Sequence, residues 1–364
     1  MKSLLVTGGA GFIGSNFVRH WRRSFPGDRI LVLDLLTYAG NLANLAGVPD
    51  VGFVRGDIAD AALVSSLIDE HAIGTIVNFA AETHVDRSIS SPQSFLHSNI
   101  LGTHTLLECA RAAWADALEG TRRFHQVSTD EVFGSLGIDD PAFHEGTPFA
   151  PNSPYSASKA SADHLVRAYH QTYGLPATIS HCSNNYGPYQ FPEKLIPLFV
   201  INALKGRPLP IYGDGLNVRD WLFVDDHCRG IELILTGGRA GESYCIGGGC
   251  ALPNMQIVDT LCATIDALFA RDPGLAARYP DAPAAQGRPT ASLRRFVPDR
   301  LGHDRRYEID DAKIRRELSY APVHDFRWDF ATTVRWFVDH PEWWQGIAVA
   351  ADARPETPAH ATMG

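Results

Sequence analysis

The sequence predicts an α/β protein: a Rossmann-type doubly wound parallel sheet with a smaller, mixed α/β lobe attached. Three observations carry this. Short β-branched runs alternate with longer amphipathic stretches through the first half of the chain, the pattern of repeated βα units. Most of the runs lack period-2 alternation, as strands buried on both faces do. The first run ends in a glycine cluster that opens a helix, which places a ligand at the carboxyl ends of the strands.

In chain order, residues 3–7, 30–33, 52–55, 75–79, 124–128 and 177–181 read as strands. Between them, 14–23, 61–70, 94–111 and 157–173 carry helical periodicity. After about residue 182 the pattern becomes irregular and Pro and Gly crowd 187–215, the composition of functional loops. Residues 271–290, rich in Ala, Pro and Arg, read as a surface excursion of the second lobe. The division expected is 1–180 plus about 216–247 for the Rossmann domain and about 181–215 plus 248–345 for the second lobe. Residues 346–364 read as a flexible tail, frayed from 353 onward.

Composition excludes several classes. With 364 residues, 45% hydrophobic and 20% charged, the chain is neither disordered nor a coiled coil. Its apolar runs stop well short of the roughly 20 residues that span a bilayer. The first strand begins almost at Met1, leaving no room for a signal peptide, so the cytoplasm is the expected location. A net charge of -9 argues against a nucleic-acid binder, and any anionic ligand must be held by a local cluster. The six cysteines show no CxxC and the 15 histidines no HExxH, so reduced, buried thiols and no metal site are expected.

The first strand runs into TGGAGFIG, a GxxGxxG pattern on Gly8, Gly11 and Gly14 with Phe12 and Ile13 inside it. Without Cβ atoms the backbone can approach a pyrophosphate, and free N–H groups at the helix start face its charge. Chance placement of 32 glycines gives about 0.25 such matches, so the weight comes from context. A strand precedes it, a helix follows, and Asp34 ends the second strand 20 residues beyond Gly14. That carboxylate can accept both ribose hydroxyls and would repel a 2'-phosphate, which points to NAD rather than NADP. Asp57 and Ile58 could flank the adenine, although a helix N-cap explains Asp57 equally well. Phe79, Ala80 and Ala81, after the fourth strand, could line the nicotinamide ribose.

Tyr155 and Lys159 stand four apart on a helix and so share a face. An ammonium and a cationic nicotinamide beside a phenol both favour phenolate. Bringing a tyrosine from about 10 to near 7 takes roughly 4 kcal/mol, within reach of two positive charges in a partly dry site. A third cluster, STDEVFG, sets Thr129 beside the carboxyls of Asp130 and Glu131 at the end of the fifth strand. Adjacent acids can separate in pKa into a protonated donor and an ionised base, the pair that an elimination of water needs. The alternative is a helix cap.

These motifs, with AETHVDRS at 81–88, CSNNYGP at 182–188, FPEKLIP at 191–197, RDWL at 219–222 and GHDRRY at 302–307, carry a resemblance. From about residue 2 to about 315 the sequence resembles the extended short-chain dehydrogenase/reductases, and among them the dTDP-glucose 4,6-dehydratases. The resemblance implies an internal redox cycle. Tyr155, helped by Thr129, takes the proton of the sugar 4-hydroxyl as hydride leaves carbon 4 for NAD. Glu131 removes the proton on carbon 5, Asp130 protonates the departing 6-hydroxyl, and the hydride returns to carbon 6. It also adds Leu35, Thr37, Ser98 and Asn185 to the cofactor set. The nucleotide sugar falls to Thr83, Thr129, Asn184, Lys194, Leu195, Pro210, Ile211, Tyr212, Arg219, Asn254 and the 299–303 stretch with Asp299 and His303. Phe133, His181, Cys245 and Leu301 depart from the family's Tyr, Arg, Asn and Pro. A homodimer is implied as well, since 94–111 and 157–173 are apolar on more faces than one sheet contact buries. A 4-epimerase or decarboxylase, or a non-catalytic NAD-binding scaffold, are the competing readings.

Overall fold

The computed structural model describes residues 1–115, 122–299 and 302–352. Strands β1 (Ser3–Thr7), β2 (Arg29–Asp34), β3 (Val51–Arg55), β4 (Thr75–Asn78), β5 (Arg123–Thr129) and β6 (Ala177–Cys182) come first. They are followed by β7 (Asn184–Tyr186), β8 (Leu209–Tyr212), β9 (Val218–Phe223), β10 (Ser243–Ile246), β11 (Ala251–Pro253) and β12 (Arg294–Val297). Seven form one parallel sheet in the order β10-β6-β5-β4-β1-β2-β3. The winding reverses between β1 and β4, the point where a Rossmann-type sheet opens a crevice at its carboxyl edge.

The apolar runs lack alternation because both faces of this sheet are covered. Leu4 and Val6 join a core with Phe17, Val18 and Trp21 of the Phe12–Ser24 helix. Leu5 points the other way and joins Leu67, Leu106, Phe124 and Val166, as the two-residue period of a strand dictates. A third core belongs to the second lobe, where the helices Leu195–Leu204, Asn254–Arg271 and Phe326–Asp339 pack together. Around it stand a three-stranded sheet, β11-β9-β7, and the parallel pair β12-β8. Thus β9, at the head of the 216–247 segment, pairs in the small sheet, while β10 returns to the large one.

Three expectations need correction. The irregular region after 182 contains the Leu195–Leu204 helix, whose Ile196, Phe199, Val200, Ile201, Ala203 and Leu204 are all buried. A helix covered on nearly every side has no amphipathic period to read. Residues 271–290 lie mostly at the surface, as expected, but they are tied down rather than a loose excursion: Leu275, Tyr279, Ala282 and Thr290 are buried, and the Tyr279 hydroxyl donates to the Val338 carbonyl at 2.6 Å. The tail proposed from 346 begins instead inside a helix, Pro341–Asp352, anchored by buried Trp343 and Trp344. Trp343 Nε1 donates to Asn44 Oδ1 at 2.7 Å, fastening this helix to the large-sheet half. Residues 353–364, and Arg300 and Leu301 within the 299–303 stretch, lie outside the described residues.

The expected 94–111 helix is present but changes pitch: a π-helix, Leu96–Gly102, runs into Thr103–Ala113. The 157–173 helix starts earlier, at Pro154, where Ser153 and Ser156 form a reciprocal cap with proline at the first helical position. This cap sets Tyr155 in the first turn. Among the described residues no helix is long and apolar enough to cross a membrane, and no three His, Cys, Asp or Glu are grouped to hold a metal ion.

Candidate active site

One cleft runs along the carboxyl ends of β1, β2, β4, β5 and β6. Its floor begins at the glycine turn. Gly8 has φ +66°, and a Cβ there would stand 2.6 Å from the Ala80 amide nitrogen; a Cβ on Gly14 would run into the Gly8 carbonyl. These two positions let β1, its turn and the β4 loop approach one another. The Phe12–Ser24 helix then opens at Gly11 with no side-chain cap, so its first N–H groups remain directed at the cleft.

At the end of β2 the Asp34 carboxylate accepts from Ala10 N at 2.9 Å and Leu36 N at 2.8 Å. Burial raises its pKa, against the pull of these two amides. Each oxygen keeps lone pairs for a further donor. Asp57 accepts from Ala59 N at 2.8 Å and meets His97 Nε2 at 2.8 Å, while the helix that follows is capped by Asp60. The N-cap alternative for Asp57 is therefore wrong. Gly8, Gly11, Phe12, Ile13, Gly14, Asp34, Leu35, Thr37, Asp57, Ile58, Phe79, Ala80, Ala81, Ser98, Tyr155, Lys159 and Asn185 all line this one cleft. A tight glycine turn, an uncapped helix start and a fixed carboxylate 20 residues on make a cradle that fits a dinucleotide.

Tyr155 and Lys159 project from successive turns of the Pro154–Tyr173 helix and are both buried. Lys159 Nζ donates to the Val127 carbonyl at 2.7 Å. Burial pushes the Tyr155 phenol well up, with Glu131, Cys182 and Asp130 adding to it and a Thr129 hydrogen bond opposing. In the protein alone, then, desolvation outweighs the lowering expected from the ammonium. Burial also depresses Lys159, opposed by Asp163 and then Cys182.

Asp130 and Glu131 open a short 3-10 turn at the end of β5, capped by Thr129, whose Oγ1 accepts from Glu131 N at 3.3 Å. Asp130 is 2% exposed and its Oδ2 is buried without a hydrogen-bond partner. Burial raises its pKa well above the carboxylic range, reinforced by Glu131 and Asp220. Asp220, itself pushed up to about 6 by burial, accepts from Cys250 N and Gly248 N. The arrangement holds one fully buried carboxyl, whose pKa burial raises, beside a second, less buried carboxyl and next to a phenol.

Of the residues expected at a sugar nucleotide, Thr83, Asn184 and Lys194 line the same cleft as Thr129. Lys194 Nζ donates to the Thr83 carbonyl at 3.2 Å, which ties the β4 loop to the second lobe. The others stand on the second lobe. Leu195 starts a helix, and Pro210, Ile211 and Tyr212 lie on β8, with the Ile211 side chain turned into the core. Exposed Tyr212 sets its ring edge-on to His303, 6.4 Å between centroids, and His303 Nδ1 meets Asp299 Oδ1 at 2.6 Å. Asn254 heads the Asn254–Arg271 helix with Oδ1 buried and unpaired. Arg219 is buried over the Tyr307 ring at 4.2 Å and donates to the carbonyls of Val218 and Asp304. Its charge reaches Asp130, opposing the upward shift there.

Glu82, Gln190, Phe191 and Glu193 also line the cleft, unassigned by sequence reasoning. Glu82, Phe191 and Glu193 fall within the segments that carried the resemblance, and two acids in loops after a strand end were the available signal.

The family described as GDP-mannose 4,6 dehydratase matches residues 5–330. A dTDP-glucose 4,6-dehydratase of Xanthomonas campestris pv. campestris is 51% identical over 354 residues, spanning 95% of this chain and 96% of that enzyme. Among solved structures, DesIV of Streptomyces venezuelae, a dTDP-glucose 4,6-dehydratase with NAD bound, aligns with TM-score 0.84 at 49% identity over 95% of this chain and 99% of its own. A UDP-glucose 4-epimerase of Thermotoga maritima, solved with UDP-glucose, aligns with TM-score 0.79 at 26% identity over 93% of this chain and 99% of its own.

Proposed function

This chain belongs to the dTDP-glucose 4,6-dehydratases, within the extended short-chain dehydrogenase/reductases, and we propose that it converts dTDP-glucose to dTDP-4-keto-6-deoxy-glucose with NAD as resident cofactor. The observation that carries this reading is the buried, unpartnered Oδ2 of Asp130 beside Glu131 and Tyr155. An epimerase needs the phenol and ammonium but has no use for a neutral acid and a second carboxyl.

NAD, when bound, accepts hydride from carbon 4 and returns it to carbon 6. Gly8, Gly11 and Gly14 admit its pyrophosphate at the helix start, and Asp34 takes its ribose hydroxyls. Tyr155 removes the 4-hydroxyl proton, with Thr129 on the same oxygen and Lys159 holding the positive charge. The resulting 4-ketone acidifies the proton on carbon 5, which Glu131 takes. Asp130 gives its proton to the 6-hydroxyl, which departs as water. Glu131 then reprotonates carbon 5 as carbon 6 is reduced, and the proton left on Tyr155 balances the one lost by Asp130. The net change is loss of one water.

In the proposed division of labour, 1–180 and about 216–247 hold the cofactor, and about 181–215 with 248–345 hold the nucleotide sugar through Asn184, Lys194 and the Tyr212–His303 corner, with Thr83 and Arg219 reaching it from the cofactor segments. The enzyme works in the cytoplasm as a homodimer. Six free cysteines suit a reducing compartment, and exposed Leu96, Leu101 and Tyr173 lie on or beside the two helices read as apolar on several faces. Incubation with dTDP-, UDP- and CDP-glucose, with products followed by mass, tests the reading. Loss of 18 mass units, that of one water, is expected from the dTDP sugar; isomerisation without mass change would replace it by an epimerase.

A further inference from the structure

Two buried charged side chains of the Pro154–Tyr173 helix reach consecutive residues of β5. Lys159 Nζ donates to the Val127 carbonyl at 2.7 Å, and Asp163 Oδ2 accepts the Ser128 hydroxyl at 2.6 Å. Residues four apart share a helix face, so ammonium and carboxylate meet the strand side by side. From β6, His181 brings Nε2 to 3.1 Å from the same Asp163 oxygen. The imidazole is wedged between Phe133 and Phe149, with ring centroids 4.9 and 5.7 Å away. Asp163 is 1% exposed, and its other oxygen, Oδ1, is buried without a hydrogen-bond partner. The reaction as proposed uses none of Asp163, Ser128 or His181.

We propose that Asp163 is a positioning residue: the buried countercharge that keeps Lys159 an ammonium beside Tyr155, with Ser128 and His181 holding its carboxylate in place. This rests on Tyr155 and Lys159 being the oxidising pair. A buried ammonium with one carbonyl partner is costly unless a charge offsets it. The groups that act on Lys159 are Asp163 from its own helix and Cys182 from β6, with Tyr155 one turn back on the same helix face and His181 behind Asp163. Burial pushes the Cys182 thiol far up from its usual range. Asp163 is a buried carboxyl one helical turn beyond Lys159, and it is the foremost influence opposing the downward pull of burial there.

The test compares holoenzyme with Asp163→Asn, Lys159→Met and the double variant. Asparagine keeps the shape and removes the charge. Asp163→Asn should melt lower than wild type, and adding Lys159→Met should raise the melting temperature again, because the uncompensated cation is gone. In kcat/KM against pH, the alkaline limb of Asp163→Asn should move towards neutral by about one pH unit, with kcat falling more than KM changes. If Asp163→Asn alone fails to fold, recovery of folded protein in the double variant supports the proposal equally. A double variant no better than Asp163→Asn, or a pH profile lowered uniformly with its limbs unmoved, overturns it. A wild type that fails to dehydrate any sugar nucleotide would sink the functional reading, while the melting comparison still decides on Asp163.

Discussion

Thr129 donates its hydroxyl to Asp130 Oδ1 at 3.3 Å while Thr129 Oγ1 itself accepts the Glu131 amide at 3.3 Å. One side chain thus caps the turn that carries both acids and leaves Asp130 Oδ2 as the bare, buried end of a carboxyl whose pKa burial raises. The acids are thereby split by environment, one desolvated and one less buried, which is how a pair of carboxyls takes on opposite roles.

That split predicts different failures. Glu131→Gln should abolish solvent deuterium exchange at carbon 5 together with elimination, because no enolate forms. Asp130→Asn keeps the base, so exchange at carbon 5 should persist while water loss slows by about 10²- to 10⁴-fold, the range of general acid–base groups. Exchange and elimination are read by mass and NMR on one sample. Full dehydration by both variants would make the acids mere caps.

The raised pKa of Asp130 also bears on stability. Between its unfolded value, about 3.9, and the raised folded value, the unfolded chain has released a proton that the folded chain keeps. Stability is therefore lost as pH rises through that window. Asp130→Asn should melt higher than wild type at pH 7, with the gain fading towards pH 4. A gain that is absent at pH 7, or equal at both pH values, contradicts the assignment of Asp130 as a buried neutral acid.

Asp34→Ala should relax the preference for NAD over NADP. The substitution removes the negative charge that a 2'-phosphate would meet and strips Ala10 N and Leu36 N of their acceptor. Binding of both cofactors to stripped enzyme, followed by fluorescence, should show NAD weakened more than NADP. A ratio unchanged from wild type would place the discriminating group elsewhere.

What the sequence disclosed of this site follows from how local each signal is. Gly8, Gly14 and Asp34 belong to one βαβ unit, and Tyr155 and Lys159 to one helical turn, so spacing read with its local strand and helix context points to them. Leu4, Leu5 and Val6 read as a buried strand because two covered faces erase alternation. The same all-round burial hid the Leu195–Leu204 helix, while the few anchoring residues of 271–290, such as Leu275 and Tyr279, are too sparse in an exposed segment to show a period. Gln190, Phe191 and Glu193 reach the cleft from a loop whose place depends on the second lobe. Asp163 gains its meaning only when Ser128 and His181 arrive from neighbouring strands.

The final prediction concerns the fate of one hydrogen. The cleft sets the glycine turn, Asp34, Tyr155, Lys159 and the two acids along a single wall of strand ends, so oxidation and elimination share one binding site. A cofactor restored in every turnover has no reason to leave, and NAD should copurify with the protein. Mass spectrometry of the denatured enzyme should find it near one per chain. Deuterium placed at carbon 4 of dTDP-glucose should then reappear at carbon 6 of the same molecule, and mixing labelled with unlabelled substrate should give no crossover. The hydride stays with its own sugar, whereas the carbon 5 proton passes through Glu131, the less buried acid, and exchanges with solvent. Label found in solvent or in free cofactor would mean that the two half-reactions occur in separate binding events, which the single cleft does not permit.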